Sequence, residues 1–134
     1  MNSDILQLQN GPESALMNFQ SEWDQLFFLL EKEKPEVKTL VNASGFGVFE
    51  KFENIPLDKQ LDMIDLNSKA LMAVTYIVMP YLKKGSEVYQ IGSLSSFQPV
   101  PYIATYGATK AFVLSFTRAL NVELKKRGIK CIAV

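Results

Sequence analysis

Histidine is absent from the chain and cysteine occurs once, at Cys131. Those two shortages exclude Ser-His-Asp triads, His-ligated metals, Cys-rich zinc sites and internal disulfides on residue supply alone, so no metal site is expected. An excess of charge is missing too: 14 basic and 14 acidic side chains cancel, and the one basic run is Lys125-Lys126-Arg127. Phosphate backbones and anionic membranes attract concentrated positive charge, so neither nucleic acid nor a lipid surface is an expected partner. Long apolar runs are also lacking. The stretch Ala70 to Leu82 carries Thr75 and Pro80 and falls short of the roughly 20 residues that cross a bilayer. No basic start followed by an apolar run marks the N-terminus, so the expected location is cytoplasmic. What remains is 134 residues, 48% of them hydrophobic, enough for one small globular domain whose chemistry runs on hydroxyls, amines, carboxylates and amides.

Residues 1–15 are polar and hold the turn signal Asn10-Gly11-Pro12, so they read as an arm or loop before a domain over residues 16–134. From Phe19 to Lys34, Trp23, Phe27 and Leu30 recur at helical spacing, with Leu26 and Leu29 beside them, and Pro35 closes the segment. Thr39 to Asn42 reads as a strand running into Ala43-Ser44-Gly45-Phe46-Gly47, where the glycines allow backbone conformations that other residues resist. Leu66, Ala70, Val74, Ile77 and Tyr81 predict a long helix over Leu57 to Leu82, bent near Pro80. Glu87 to Ile91 is a second strand, followed by the small-residue loop Gly92-Ser93-Leu94-Ser95-Ser96. Phe112, Phe116, Leu120 and Leu124 mark a second long helix from Thr105 to Arg127, ended by Gly128, and Ile129 to Val134 is a third strand.

Helices alternating with strands predict an α/β fold with a parallel sheet. Crossovers in such sheets are right-handed, which puts both long helices on one face and leaves the other without cover. Leu40, Val41, Val88, Ile91, Ile132 and Val134 are too apolar for a wetted face. The expectation is therefore a partial Rossmann-like sheet, three strands with three helices mostly on one face, truncated at both ends. Functional groups should collect at the carboxyl ends of the strands, from Asn42 to Gly47 and from Gly92 to Ser96.

Tyr106 and Lys110 stand four residues apart near a helix start, so both reach toward one point. A free phenol titrates near pH 10, and a neighbouring ammonium favours the phenolate, which suits proton transfer. A solvated helix face is the alternative reading of the same spacing. Ser93, on the loop after the second strand, could hydrogen-bond a substrate oxygen, yet Ser95 and Ser96 are equally turn-like by residue type. Asn67 could be a buried amide or an ordinary surface residue of its helix.

With these residues in view, the chain from about Phe19 to Val134 resembles the short-chain dehydrogenases/reductases. Leu40-Val41-Asn42-Ala43-Ser44-Gly45 is similar to that family's Asn-Asn-Ala-Gly strand end, and Asp65-Leu66-Asn67 to the segment with its catalytic Asn. Ser93 matches its catalytic Ser, and Tyr106 to Lys110 its Tyr-x-x-x-Lys. The resemblance implies an NAD or NADP cofactor held by Asn42, Ala43, Ser44, Gly45, Tyr106 and Lys110. It implies that Tyr106 exchanges a proton with the substrate oxygen, while Lys110 favours the phenolate and holds the nicotinamide ribose. Ser93 would position the oxygen, and Asn67 would hold the water of a proton relay. Ala43 and Ser44 depart from the family's strand-end pattern, and the family's Gly-rich pyrophosphate loop has no counterpart among the glycines present.

The implied function is reduction of a small-molecule carbonyl, or oxidation of an alcohol, with activity of this chain alone in question. A homo-oligomer through the two long helices is the implied partner. The rival from another class is a truncated, non-enzymatic paralogue that serves as a dimerisation or interaction module.

Overall fold

The computed structural model describes residues 19–134, so the expected arm over residues 1–15 lies outside them. The described chain runs α1 (Phe19–Glu33), β1 (Val37–Asn42), α2 (Leu57–Ile64), α3 (Leu71–Val78), β2 (Leu82–Gln90), α4 (Ala104–Leu124) and β3 (Lys130–Ala133). Helix α1 stops where Lys34, at a left-handed φ of 42°, donates its N–H to Leu30 O ahead of Pro35. That closure satisfies a carbonyl the helix would otherwise orphan.

The three strands form one parallel sheet in the order β1-β2-β3. Register aligns Leu40 with Val88 and Cys131 in one row, and Val41 with Tyr89 and Ile132 in the next. Strand side chains alternate between faces, so the first row meets the helices and the second turns away. Leu40, Val88 and Cys131 are buried with Leu26 and Leu30 of α1, Val74 and Val78 of α3, and Leu124. One core thus joins three helices to one face; right-handed crossovers require it of α3 and α4, and α1, which precedes β1, packs there with them. Val41, Tyr89 and Ile132 stay half-exposed on the other face.

Two predicted helical stripes meet the core only in part. The long helix expected over Leu57 to Leu82 is broken by a π-helical turn, Asp65–Ala70, and ends in a 3-10 turn at Met79–Tyr81, with β2 starting at Leu82. The π turn carries an extra residue, and the stripe residues within it, Leu66 and Ala70, turn partly outward, while Val74 and Tyr81 lie in the core and Ile77 packs against it. Met63, Asn67, Leu71, Val74 and Val78 are buried, whereas Leu66, Ala70 and Ile77 are half-exposed. In α4 the inward face is Thr109, Lys110, Val113, Thr117 and Leu124. Phe112 and Phe116 stack on each other at 5.7 Å, with Phe112 exposed. Polar residues can take those inward positions because each is bonded: Thr117 Oγ1 donates to Val113 O at 2.6 Å. Among the described residues, no buried side-chain nitrogen or oxygen lacks a partner.

Candidate active site

The carboxyl ends of β1 and β2 open into a cavity of about 430 Å³. Ala43, Gly45, Phe46, Gly47, Val48 and Phe49 form one wall, and Ile91, Gly92, Ile103, Tyr106 and Lys110 the other. Neither Gly45 nor Gly47 needs a left-handed backbone, since positive φ among the described glycines occurs at Gly85 and Gly128. Space is what they supply, contrary to the conformational reading of this loop. A Cβ on Gly47 would lie 2.6 Å from Cδ2 of Tyr106, and one on Gly45 would lie 2.9 Å from Oδ1 of Asn67. The loop therefore packs its bare backbone against the two side chains.

Tyr106 and Lys110 face the cavity together from the first turns of α4. Lys110 is buried, its Nζ donates to Ile91 O at 2.8 Å, and it lies 5.8 Å from the centre of the Tyr106 ring. Burial disfavours the ammonium and lowers the lysine pKa from its ordinary value. An ammonium has three donors and Ile91 takes one, so the others remain for the cavity.

Asn67 is fully buried in the π turn, and its amide is used throughout. Oδ1 accepts from Phe46 N at 3.0 Å, and Nδ2 donates to Phe46 O at 2.8 Å and to Thr109 Oγ1 at 3.1 Å. Thr109 Oγ1 in turn donates to Tyr106 O at 2.7 Å. One side chain ties the glycine loop to the start of α4. Asn67 thus frames the cavity without lining it.

The three serines that residue type could not separate have three different jobs. Ser93 stands at the N-cap of the 3-10 turn Leu94–Ser96. Its Oγ accepts from Ser95 N at 3.2 Å and from Ser95 Oγ at 3.0 Å, while its N–H donates to Ser96 Oγ at 3.2 Å. Ser95 is buried and supports Ser93, and Ser96 closes the capping box.

Of the strand-end residues, Ala43 and Gly45 line the cavity. Asn42 instead donates to Thr75 Oγ1 at 3.0 Å and to Gln90 Oε1 at 2.8 Å. Gln90 donates to the same Thr75 oxygen at 2.9 Å, closing a network that locks β1, β2 and α3. Ser44 is half-buried between them. Of the aromatics near the crevice, Phe46 and Phe49 line the cavity and Tyr102 packs on Phe49 at 5.8 Å. Phe97 is exposed under Arg118.

Sequence reasoning missed Gln60 and Thr105. Gln60 is buried, accepts from Thr105 Oγ1 at 2.6 Å and donates to Phe52 O and Ile55 O. It anchors the segment after the glycine loop to the residue beside Tyr106. A lone glutamine in an amphipathic stripe gives no signal of that.

The short chain dehydrogenase family model matches residues 14–134. An uncharacterized oxidoreductase of Staphylococcus epidermidis is 29% identical over 98% of this chain and 60% of its own length. Sulfoacetaldehyde reductase 2 of Chromohalobacter salexigens is 37% identical over 70% of this chain and 39% of its own. A very-long-chain 3-oxoacyl-CoA reductase of Coprinopsis cinerea is 40% identical over 55% of this chain and 22% of its own. The chain thus matches at most 60% of the length of these relatives. In three dimensions it is similar to a 4-hydroxyisoleucine dehydrogenase complexed with NADH and succinate, with a TM-score of 0.76 at 24% identity, over 84% of this chain and 54% of that one. A match over nearly the whole chain, a three-stranded parallel sheet and a cavity at its carboxyl edge agree: the chain belongs to the short-chain dehydrogenase family.

Proposed function

We propose that this chain carries the catalytic segment of an NAD(P)-dependent oxidoreductase that reduces a small-molecule carbonyl or oxidises the matching alcohol. The observation that carries the reading is the placement of Tyr106 and Lys110, one helical turn apart, in a cavity walled by side-chain-free backbone at Gly45 and Gly47. The residues fit the nicotinamide-ribose end of the cofactor: Ala43, Gly45 and Gly92 leave room, and Lys110 keeps donors for ribose hydroxyls. When bound, that group supplies or accepts the hydride.

In reduction, the Tyr106 hydroxyl gives its proton to the substrate oxygen, and in oxidation the Tyr106 oxygen receives the alcohol proton. Lys110 stabilises the negative charge left on that oxygen from its buried position beside the Tyr106 ring. Ser93 donates a hydrogen bond to the same substrate oxygen. Asn67 acts through the Phe46 backbone and Thr109, holding the loop and the helix at working separation. Phe46, Val48, Phe49 and Ile103 favour an apolar flank on the carbonyl.

The test titrates NADPH and NADH against the purified chain by fluorescence, then assays carbonyl reduction in the wild type and Tyr106→Phe. Binding weaker than micromolar is expected, because no Gly-rich pyrophosphate loop lies within the chain. The phenylalanine variant should lose at least about 100-fold in rate; a retained rate sinks the assignment. A second reading, a non-enzymatic module that pairs with another copy or a relative through its long helices, draws on the exposed Phe112 beside Phe116, with Tyr76 and Phe28 also exposed. An inactive wild type whose Tyr106→Phe variant still binds that partner would favour the module.

A further inference from the structure

Ser93 and Ser95 lie outside the cavity lining, Ser93 directly after the lining residue Gly92, and Ser95 sets which hydrogen bonds the Ser93 hydroxyl can make. A hydroxyl oxygen has two lone pairs and one hydrogen. Both lone pairs of Ser93 Oγ are occupied by Ser95, one by its backbone N–H at 3.2 Å and one by its hydroxyl at 3.0 Å. The backbone N–H can only donate. The hydroxyl pair runs the same way for a different reason: Ser95 is 8% exposed, and the Ser93 oxygen is the acceptor its hydrogen finds. Reversing that bond would strand a buried donor, which costs more than an unused lone pair. The Ser96 contact engages the Ser93 backbone and leaves its hydroxyl alone.

We propose that Ser95 is a positioning residue that makes Ser93 an obligate hydrogen-bond donor toward the substrate oxygen, an inference that rests on the oxidoreductase reading above. The consequence is directional. A carbonyl or alkoxide oxygen is accepted by the Ser93 hydrogen. An alcohol O–H finds no acceptor at Ser93, so its proton has one destination, the Tyr106 oxygen. Ser95 thereby keeps two neighbouring hydroxyls from competing for one proton.

The experiment uses the full chain with saturating NADPH or NADH and 1-phenyl-1,2-propanedione as the carbonyl probe, together with crystal structures of the wild type and Ser95→Ala. Ser95→Ala should lower kcat about threefold to tenfold, the worth of one neutral hydrogen bond, with KM within about twofold. The Ser93 side chain should pass from one rotamer to two or more. Ser95→Thr, which keeps a hydroxyl, should recover most of kcat and the single rotamer. Ser96→Ala controls for simple loosening of the loop: its melting temperature should fall while Ser93 keeps one rotamer. An unchanged kcat in Ser95→Ala of an active protein, or a single Ser93 rotamer in that variant, overturns the proposal. If the wild type reduces nothing, the rotamers decide alone: a split retains Ser95 as the group that orients Ser93, and the enzymatic reading of the chain fails separately.

Discussion

The side-chain amide of Asn67 meets the backbone of Phe46 at both of its polar atoms, accepting from N at 3.0 Å and donating to O at 2.8 Å. A side chain thus does for the glycine loop what a neighbouring strand does for a sheet. The π turn delivers Asn67 to that position, and Thr109 carries the connection on to Tyr106.

Removing the amide should be costly. Asn67→Ala loses three hydrogen bonds at a buried site and should destabilise the fold by about 2–4 kcal/mol. Asn67→Asp retains the acceptor for Phe46 N but loses the donor, and should destabilise while sparing that one bond. Urea denaturation measures both, and an alanine variant within about 0.5 kcal/mol of the wild type would show that the clamp holds nothing.

At Gly47 the added methyl has nowhere to go, since it would fall within 2.6 Å of the Tyr106 ring. Gly47→Ala should displace that ring, destabilise by about 1–3 kcal/mol and lower carbonyl reduction more than stability. A structure with Tyr106 unmoved would contradict the packing argument.

Lys110 predicts a pH dependence. Its folded pKa lies below the 10.5 of an ordinary lysine because burial penalises the charge. Between those two values the unfolded chain binds more protons, so folding stability from this group rises with pH across that window. Below the folded pKa both states are protonated and the full burial penalty stands. Lys110→Met removes the titration, so the stability of wild type relative to this variant should climb as the pH rises through the folded pKa and level off above the ordinary lysine value of 10.5. Chemical denaturation at a series of pH values reads it, and a flat difference would refute it.

Cys131 should be inert. Burial pushes its thiol up to about 11, partly offset by a hydrogen bond with Gln90. Since the thiolate is the nucleophile, iodoacetamide at pH 8 should label the folded chain slowly and the urea-unfolded chain at the rate of a free thiol. Equal rates in the two states would place this residue at the surface.

Much of the site was legible in one dimension. Tyr106 and Lys110 are one helical turn apart, and that spacing alone puts them on one face. The glycine loop was visible as a cavity wall, but its reason was not: Gly45 and Gly47 are small because Asn67 and Tyr106 approach them from distant parts of the chain. Ser93, Ser95 and Ser96 look alike as residues and differ only in who donates to whom. The apolar stripe through Phe112 and Phe116 marked the helix but not its inward face, because Thr109 and Thr117 satisfy their hydroxyls on their own helix and can be buried instead.

By itself the sequence determined the alternation of helices and strands, their parallel direction and the exclusion of histidine catalysis, internal disulfides and His- or Cys-rich metal sites, because these follow from local periodicity and residue supply. Only the tertiary structure decided which polar groups go inside. Burial of Asn67, Thr75, Gln90 and Lys110 is tolerable once each has found its partner, and those partners lie 4 to 48 residues away along the chain.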